Sequence, residues 1–122
     1  MKQFDIMTLS IVLVSERRKY MVTELNNENF DEVINSNDIV IVDFYADWCG
    51  PCMMMGPIVD AFSEEHTNIK VAKVNIDDEM DLATKNRVSS IPTLVMFKGG
   101  VAVKRNVGAL SKMELEAFAS QE

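Results

Sequence analysis

Beyond residue 20 the chain alternates between two hydrophobic periods. Residues 21–25 (MVTEL) read as a short strand. Residues 26–36 read as a helix, with Asn26 as its cap and Phe30, Val33 and Ile34 on one face. Residues 39–46 (IVIVDFYA) form a nearly unbroken β-branched and aromatic run, the mark of a strand covered on both faces. From residue 50 to about residue 66, Met55, Ile58, Val59 and Phe62 follow helical spacing, and Pro57 is set to kink that helix. Residues 69–77 repeat the buried-strand pattern, and residues 77–87 predict a short helix begun by Asp77 or Asp78.

The last third changes character. PTLVMF and VAVKRNV predict two strands joined through Lys98-Gly99-Gly100, a glycine pair suited to a tight hairpin. Ser111 and Glu114 have capping-box spacing, with Leu110 and Leu115 placed as a hydrophobic staple, and the closing helix buries Leu115 and Phe118. The order is βαβαβαββα. It predicts an α/β fold: a central mixed sheet of about five strands, parallel first and antiparallel last, flanked by about four helices.

Composition narrows the partners. A chain of 122 residues suits one domain with a sizeable core. A net charge of −7 argues against nucleic acid or an anionic membrane as the main partner. Residues 1–20 carry four Lys/Arg and two Asp/Glu, net +2, which leaves −9 on the rest. That break puts residues 1–20 outside the domain, as an extension, and the domain at 21–122. The segment IMTLSIVLV (6–14) contains Thr8 and Ser10 and is too short to span a bilayer. Asp5 before it and SERRKY after it do not suit a secretory signal, so a cytoplasmic location is expected. In that compartment two close cysteines are catalytic or metal-binding more often than a static staple.

Cys49 and Cys52 stand in ADWCGPCMMMGP, at the passage from the second strand into the second helix. Helix-start N–H groups are unpaired and the dipole is positive there, which favours a thiolate at Cys49. Cys52, one turn further in and more shielded, can reach back to it. That asymmetry suits disulfide exchange, with the exposed sulfur attacking and its neighbour resolving. A zinc site wants four ligands, and the chain offers two cysteines and His66, so no metal is expected; a metal bridging two chains stays open. His66 itself reads as a solvated residue at a helix end. A four-residue disulfide ring constrains an unfolded chain little, which weighs against a purely structural bridge.

Trp48-Cys49-Gly50-Pro51-Cys52, preceded by VDFYAD and followed by Pro57, resembles the active-site segment of the thioredoxin family. Ile91-Pro92-Thr93 is similar to that family's cis-proline loop, and VGALSK (107–112) to its last strand-to-helix passage. The resemblance runs from about Met21 to the C-terminus. It implies a protein-disulfide reductase with Cys49 as nucleophile and Cys52 as resolving thiol. No cofactor is implied beyond a redox-active Cys49–Cys52 disulfide, and thioredoxin reductase would be the electron donor. It also implies that Asp43 is a buried acid serving Cys52 through a water, with Lys73 on the neighbouring strand. A cis bond at Pro92 would set its loop against the sulfurs. Trp48, Gly50, Pro51, Ile91, Gly108 and Ala109 would form an apolar rim that receives disulfides of other proteins. The Gly-Pro between the cysteines, where oxidases and isomerases usually have a histidine, points to reduction.

Two features depart from the family. Met53 stands where many members carry a lysine or arginine, which removes a charge beside Cys52 and leaves the helix dipole. Met53, Met54 and Met55 otherwise read as helix-compatible filler, partly core. Residues 1–20 have no counterpart in the family. Two alternatives of function remain at this level: a redox-inactive binding subunit on the same fold, or an exported disulfide oxidase or isomerase.

Glu16-Arg17-Arg18-Lys19 can be written in purine-rich codons that spell a bacterial ribosome-binding site just upstream of Met21. Met21 is therefore the expected native start and residues 1–20 a translated leader. The competing reading makes IMTLSIVLV an edge strand or a docking arm. A chain beginning at Met21 is expected to melt within a few degrees of the full chain and to reduce insulin equally well. Loss of folding, dimerisation or activity on truncation, or an intact mass from native cells that includes Met1, would sink the leader reading.

Overall fold

The computed structural model describes residues 21–120; the expectations for residues 1–20 lie outside the described residues. The elements run β1 (Thr23–Glu24), α1 (Phe30–Ser36), β2 (Ile39–Tyr45), α2 (Gly50–Glu65), β3 (Lys70–Asn75), α3 (Met80–Lys85), β4 (Thr93–Lys98), β5 (Val101–Val107) and α4 (Lys112–Ser120). One sheet orders the strands β1-β3-β2-β4-β5. β1, β3 and β2 are parallel, while β4 is antiparallel to both β2 and β5.

β2 is the centre of this arrangement, paired on both sides and covered on both faces. Val40, Val42 and Phe44 point to a core shared with Phe30 and Ile34 of α1 and Leu82 of α3. Ile41 points the other way, to Met55, Val59 and Phe62 of α2 and Leu115 and Phe118 of α4. The β-branched run read in the sequence therefore serves two cores at once.

Local chemistry explains the joints. Gly99 and Gly100 have φ of 56° and 82°, which lets a two-residue turn join β4 to β5 with Lys98 opposite Val101. At the start of α4, Glu114 N–H donates to Ser111 Oγ (3.1 Å) and Ser111 N–H donates to Glu114 Oε1 (3.0 Å), a reciprocal capping box. Asn26 Oδ1 accepts from the N–H groups of Glu28 and Asn29, and Asn29 Oδ1 accepts from Asn26 N–H. Asn26 thus caps the turn leading into α1 instead of the helix's first regular residue.

α3 is shorter than the periodicity predicts, and neither Asp77 nor Asp78 caps it. Glu79 occupies the cap position without a side-chain hydrogen bond. The reason lies just upstream, where Asn75 closes the turn, its Oδ1 accepting from Asp77 N–H and its carbonyl from Glu79 N–H.

α3 ends in a Schellman arrangement, with Val88 N–H donating to Ala83 O and Arg87 N–H to Thr84 O. The left-handed residue of that motif is Arg87, at φ 57°, where glycine is the usual occupant. A side chain in this region is disfavoured by about 1–2 kcal/mol, partly offset by the greater freedom glycine has when unfolded. Arg87→Gly is therefore expected to raise stability by up to about 1 kcal/mol in denaturant melts. A clear loss would mean that the Arg87 side chain contributes more than its backbone conformation costs.

Candidate active site

β2 ends at Tyr45, and a short turn carries the chain into α2 with Cys49 at the cap position. The Cys49 backbone is extended (φ −89°, ψ 109°), and its Sγ accepts the backbone N–H of Cys52 at 3.3 Å. Pro51 sits in the first turn, where its missing N–H leaves no gap in the helix ladder. Cys49 and Cys52 are joined as a disulfide, with Cα atoms 5.2 Å apart. The expected contrast between an exposed and a shielded cysteine is small in this state: Cys49 is 5% exposed and Cys52 2%. Ala46, Tyr45, Ile76 and Ile91 pack around both, which is why neither stands open.

The turn before β4 approaches from the other side. The Ile91–Pro92 bond is cis, and Ile91 O lies 3.9 Å from Cys49 Sγ. Pro92 is buried, and its carbonyl accepts Gly108 N–H at 2.8 Å, which ties this turn to the passage after β5. Gly108 has φ 106°, which favours glycine there, and Ala109 beside it is exposed. Trp48 is 70% exposed. Gly50 and Pro51 are also exposed, and a Cβ at Gly50 would meet no atom within 4 Å, so the surface at Gly50 is open. A shallow groove lined by Trp48, Ile76, Val88, Ser89, Ser90 and Ile91 runs beside the disulfide. Trp48, Cys49, Gly50, Pro51, Cys52, Ile91, Pro92, Gly108 and Ala109 thus come from three separate segments of the chain. Pro57 lies more than a turn beyond Cys52, inside an α2 that continues through it. Met55 is core, whereas Met53 and Met54 are exposed.

Asp43 sits within central strand β2, 4% exposed, with Oδ1 lacking any hydrogen-bond partner. An edge or strand-end position is thereby excluded. Its carboxyl is pushed up from 3.8 to about 7: burial raises it most, the Lys73 ammonium pulls it down, and the Glu24 carboxylate pushes it up. Asp43 shares the sheet face of Ile41, the face on which α2 and therefore Cys52 are packed.

Three polar contributors escaped the sequence reading. Asp77 Oδ2 accepts from Trp48 Nε1–H at 2.8 Å and so orients the exposed indole. Glu24 Oε1 accepts from the Tyr45 hydroxyl at 2.7 Å, and its Oε2 lies 3.7 Å from Lys73 Nζ. Burial, then that hydrogen bond and the charges of Glu24 and Asp47, hold the Tyr45 phenol well above its ordinary range. The one available signal was strand phase: Glu24 and Tyr45 occupy the same face as Asp43 once the register is known.

His66 is more engaged than a free surface residue. Its Nε2 lies 2.7 Å from Glu116 Oε2, and its ring stacks on Phe62 with centroids 4.2 Å apart. Ligand atoms of Glu65, His66 and Glu116 lie within 4.8 Å of one another, but the Lys112 ammonium already bridges the two carboxylates. The cluster is a salt-bridged joint between α2 and α4.

A disulfide across the first turn of a helix, beside an exposed tryptophan and a cis-proline turn, with a buried acid in the strand that leads into it, defines a thiol–disulfide oxidoreductase. The family model described as Thioredoxin matches residues 21–121. A thioredoxin of Alicyclobacillus acidocaldarius is 44% identical over 94 residues, covering 76% of this chain and 90% of that protein. Thioredoxin-2 of Saccharomyces cerevisiae is 42% identical over 102 residues, covering 82% and 98%. The solved structure of a mutant thioredoxin from Halobacterium salinarum superposes with a TM-score of 0.77 at 35% identity, covering 85% of this chain and 96% of that one. The chain belongs to the thioredoxin family, and its activity is the reduction of protein disulfides. Neither a redox-silent binding subunit nor an exported oxidase or isomerase is favoured by these relatives.

The buried acid has a consequence for stability. Because the folded protein binds the Asp43 proton more tightly than the unfolded chain, the Asp43 contribution to stability falls as pH rises from about 4 to about 7 and then levels off. Asp43→Asn should match the parent near pH 4 and exceed it increasingly toward pH 7, by up to about 4 kcal/mol at 1.36 kcal/mol per unit of pKa difference. Denaturant melts across that range are the measurement. Parallel curves for the two proteins would remove the buried-acid assignment.

Proposed function

We propose that Cys49 is the attacking thiolate and Cys52 the resolving thiol, and that residues 21–122 form the working unit. The carrying observation is the position of Cys49 Sγ at the start of α2, accepting the N–H of Cys52. The same N–H and the helix dipole stabilise negative charge on that sulfur when the disulfide is reduced.

In the dithiol form the Cys49 thiolate attacks one sulfur of a substrate disulfide. A Cys49–substrate bond forms, the substrate S–S bond breaks, and the first substrate sulfur leaves as a thiolate that takes up a proton. Asp43, as carboxylate, accepts the Cys52 thiol proton through a water. The Cys52 thiolate then attacks Cys49 Sγ, forming the Cys49–Cys52 disulfide and expelling the second substrate thiolate, which takes the proton from Asp43. Two electrons have passed from the protein to the substrate. A carboxyl poised near 7 suits this shuttle, since it can both accept and return a proton at working pH.

Substrate docking falls to the rim of Trp48, Gly50, Pro51, Ile91, Gly108 and Ala109, with the Ile91 backbone free to pair with an extended segment around the target disulfide. The open space over Gly50 supports this reading. Lys73 tunes Asp43, and Pro92 and Pro57 act as supports. Thioredoxin reductase would return the electrons, so that the disulfide itself is the only redox group required. A cytoplasmic site of action fits the sequence features, and among the described residues no helix is long and apolar enough to cross a membrane.

The division of labour is testable by trapping. Cys52→Ser is expected to accumulate mixed disulfides through Cys49 and release them slowly, while Cys49→Ser forms none and loses insulin reduction. Substantial reductase activity in Cys49→Ser would reverse the assignment. Asp43→Asn should slow single-turnover release of mixed disulfides on the order of 10²-fold, and unchanged release would remove Asp43 from the chemistry.

A further inference from the structure

Glu24, Lys73 and Asp43 form one row across three parallel strands. Glu24 is registered with Lys73 between β1 and β3, and Lys73 with Asp43 between β3 and β2. Registered neighbours project to the same face of a sheet, here the face that α2 covers. The row runs from solvent to interior: Glu24 is exposed, Lys73 half-buried and Asp43 buried.

Lys73 has one carboxylate on each neighbouring strand and pairs with the outer one. Its Nζ lies 3.7 Å from Glu24 Oε2, and among the described residues that is its ion pair; none links it to Asp43. The same ammonium sits 5.5 Å from the centre of the Tyr45 ring, and the Tyr45 hydroxyl fixes Glu24 through its other oxygen. Glu24 is therefore held at two points and draws the cation outward, while Asp43 Oδ1 stays without a partner.

We propose that Glu24 is a positioning residue of the exchange reaction, which sets the proton affinity of Asp43 by holding the Lys73 ammonium away from it. Two effects act in the same direction. A negative charge nearby disfavours a second carboxylate, and a cation engaged by Glu24 is less available to stabilise Asp43 as an anion. Loss of the Glu24 charge removes the first effect and frees Lys73 to turn inward. Other groups face Asp43 or Lys73 from the elements packed around them. β4 presents Leu94, and β2 presents Tyr45, already bonded to Glu24. α2 contributes Cys52 together with Asp60 and Glu64, which line a cavity with Lys73 and carry the same sign as Glu24. On α4, Lys112 and Glu116 are engaged with Glu65 and His66.

This inference rests on the reading of Asp43 as the proton acceptor for Cys52, and the test separates the two. In the full-length, reduced protein, the Asp43 side-chain carboxyl is titrated by carbon-13 NMR, and the pH midpoint of mixed-disulfide release is measured in parallel. Glu24→Gln keeps the acceptor for Tyr45 and loses the charge. It is expected to lower both midpoints by about one unit, whereas Glu24→Asp, which keeps the charge, stays close to the parent. An unmoved Asp43 carboxyl midpoint in Glu24→Gln overturns the inference. A carboxyl midpoint that moves while the release midpoint does not upholds the role of Glu24 over Asp43 and overturns the proton-acceptor role of Asp43 in release.

Discussion

The N–H groups in the first turn of a helix have no acceptor within the helix, and in α2 the Cys49 sulfur is the acceptor for one of them. Much of the architecture serves that contact. β2 must end where α2 begins, with Cys49 at the cap, and β2 can end there only because β3 and β4 fix it from both sides. The turn at Ile91-Pro92 must then close over the same sulfur, a position set by the antiparallel register of β4 on β2. Gly108, bonded to the Pro92 carbonyl, extends the arrangement to the end of β5. A rigid sheet thus brings three loops to one pair of sulfur atoms.

The buried acid of β2 works against the fold that holds it. A carboxyl with no partner for Oδ1, in the central strand between two covered faces, weakens the protein at neutral pH relative to an isosteric amide. A sequence selected for stability alone would place an apolar residue at position 43, as it does at Ile41 and Val42. The row of Glu24, Lys73 and Asp43 spreads this burden, since charge of both signs is graded from solvent inward instead of being paired at the bottom.

The sheet, its two faces and the hairpin were legible because each rests on local pattern: a β-branched run at residues 39–46, helical spacing through Phe62, the pair Gly99-Gly100, and the box of Ser111 and Glu114. The cysteine pair was legible as chemistry because its position at a helix start follows from that pattern. The pattern did not carry what depends on register. Glu24 and Tyr45 are distant in sequence and meet only once β1, β3 and β2 are aligned. Asp77 read as a helix cap because an acid before a helical run usually is one, yet Asn75 closes that turn and leaves Asp77 to hold Trp48. The near-equal cover of Cys49 and Cys52 was hidden for the same reason, since Ile76 and Ile91 reach them from other elements.

The sheet order also has a temporal side. β2 is synthesised before either of the strands that flank it, because β3 and β4 both follow it in the chain. The two cysteines therefore leave the ribosome well ahead of Ile91, Pro92 and Gly108. Closing β4 onto β2 joins Leu94 to Asp43 across the intervening α2, β3 and α3, a long-range contact of the kind that forms slowly. During that interval the nascent chain presents two thiols beside Trp48, Gly50 and Pro51 but without the two loops that later meet them. The proposed discrimination among disulfides belongs to the finished sheet, complete only once β4 and β5 are both in place.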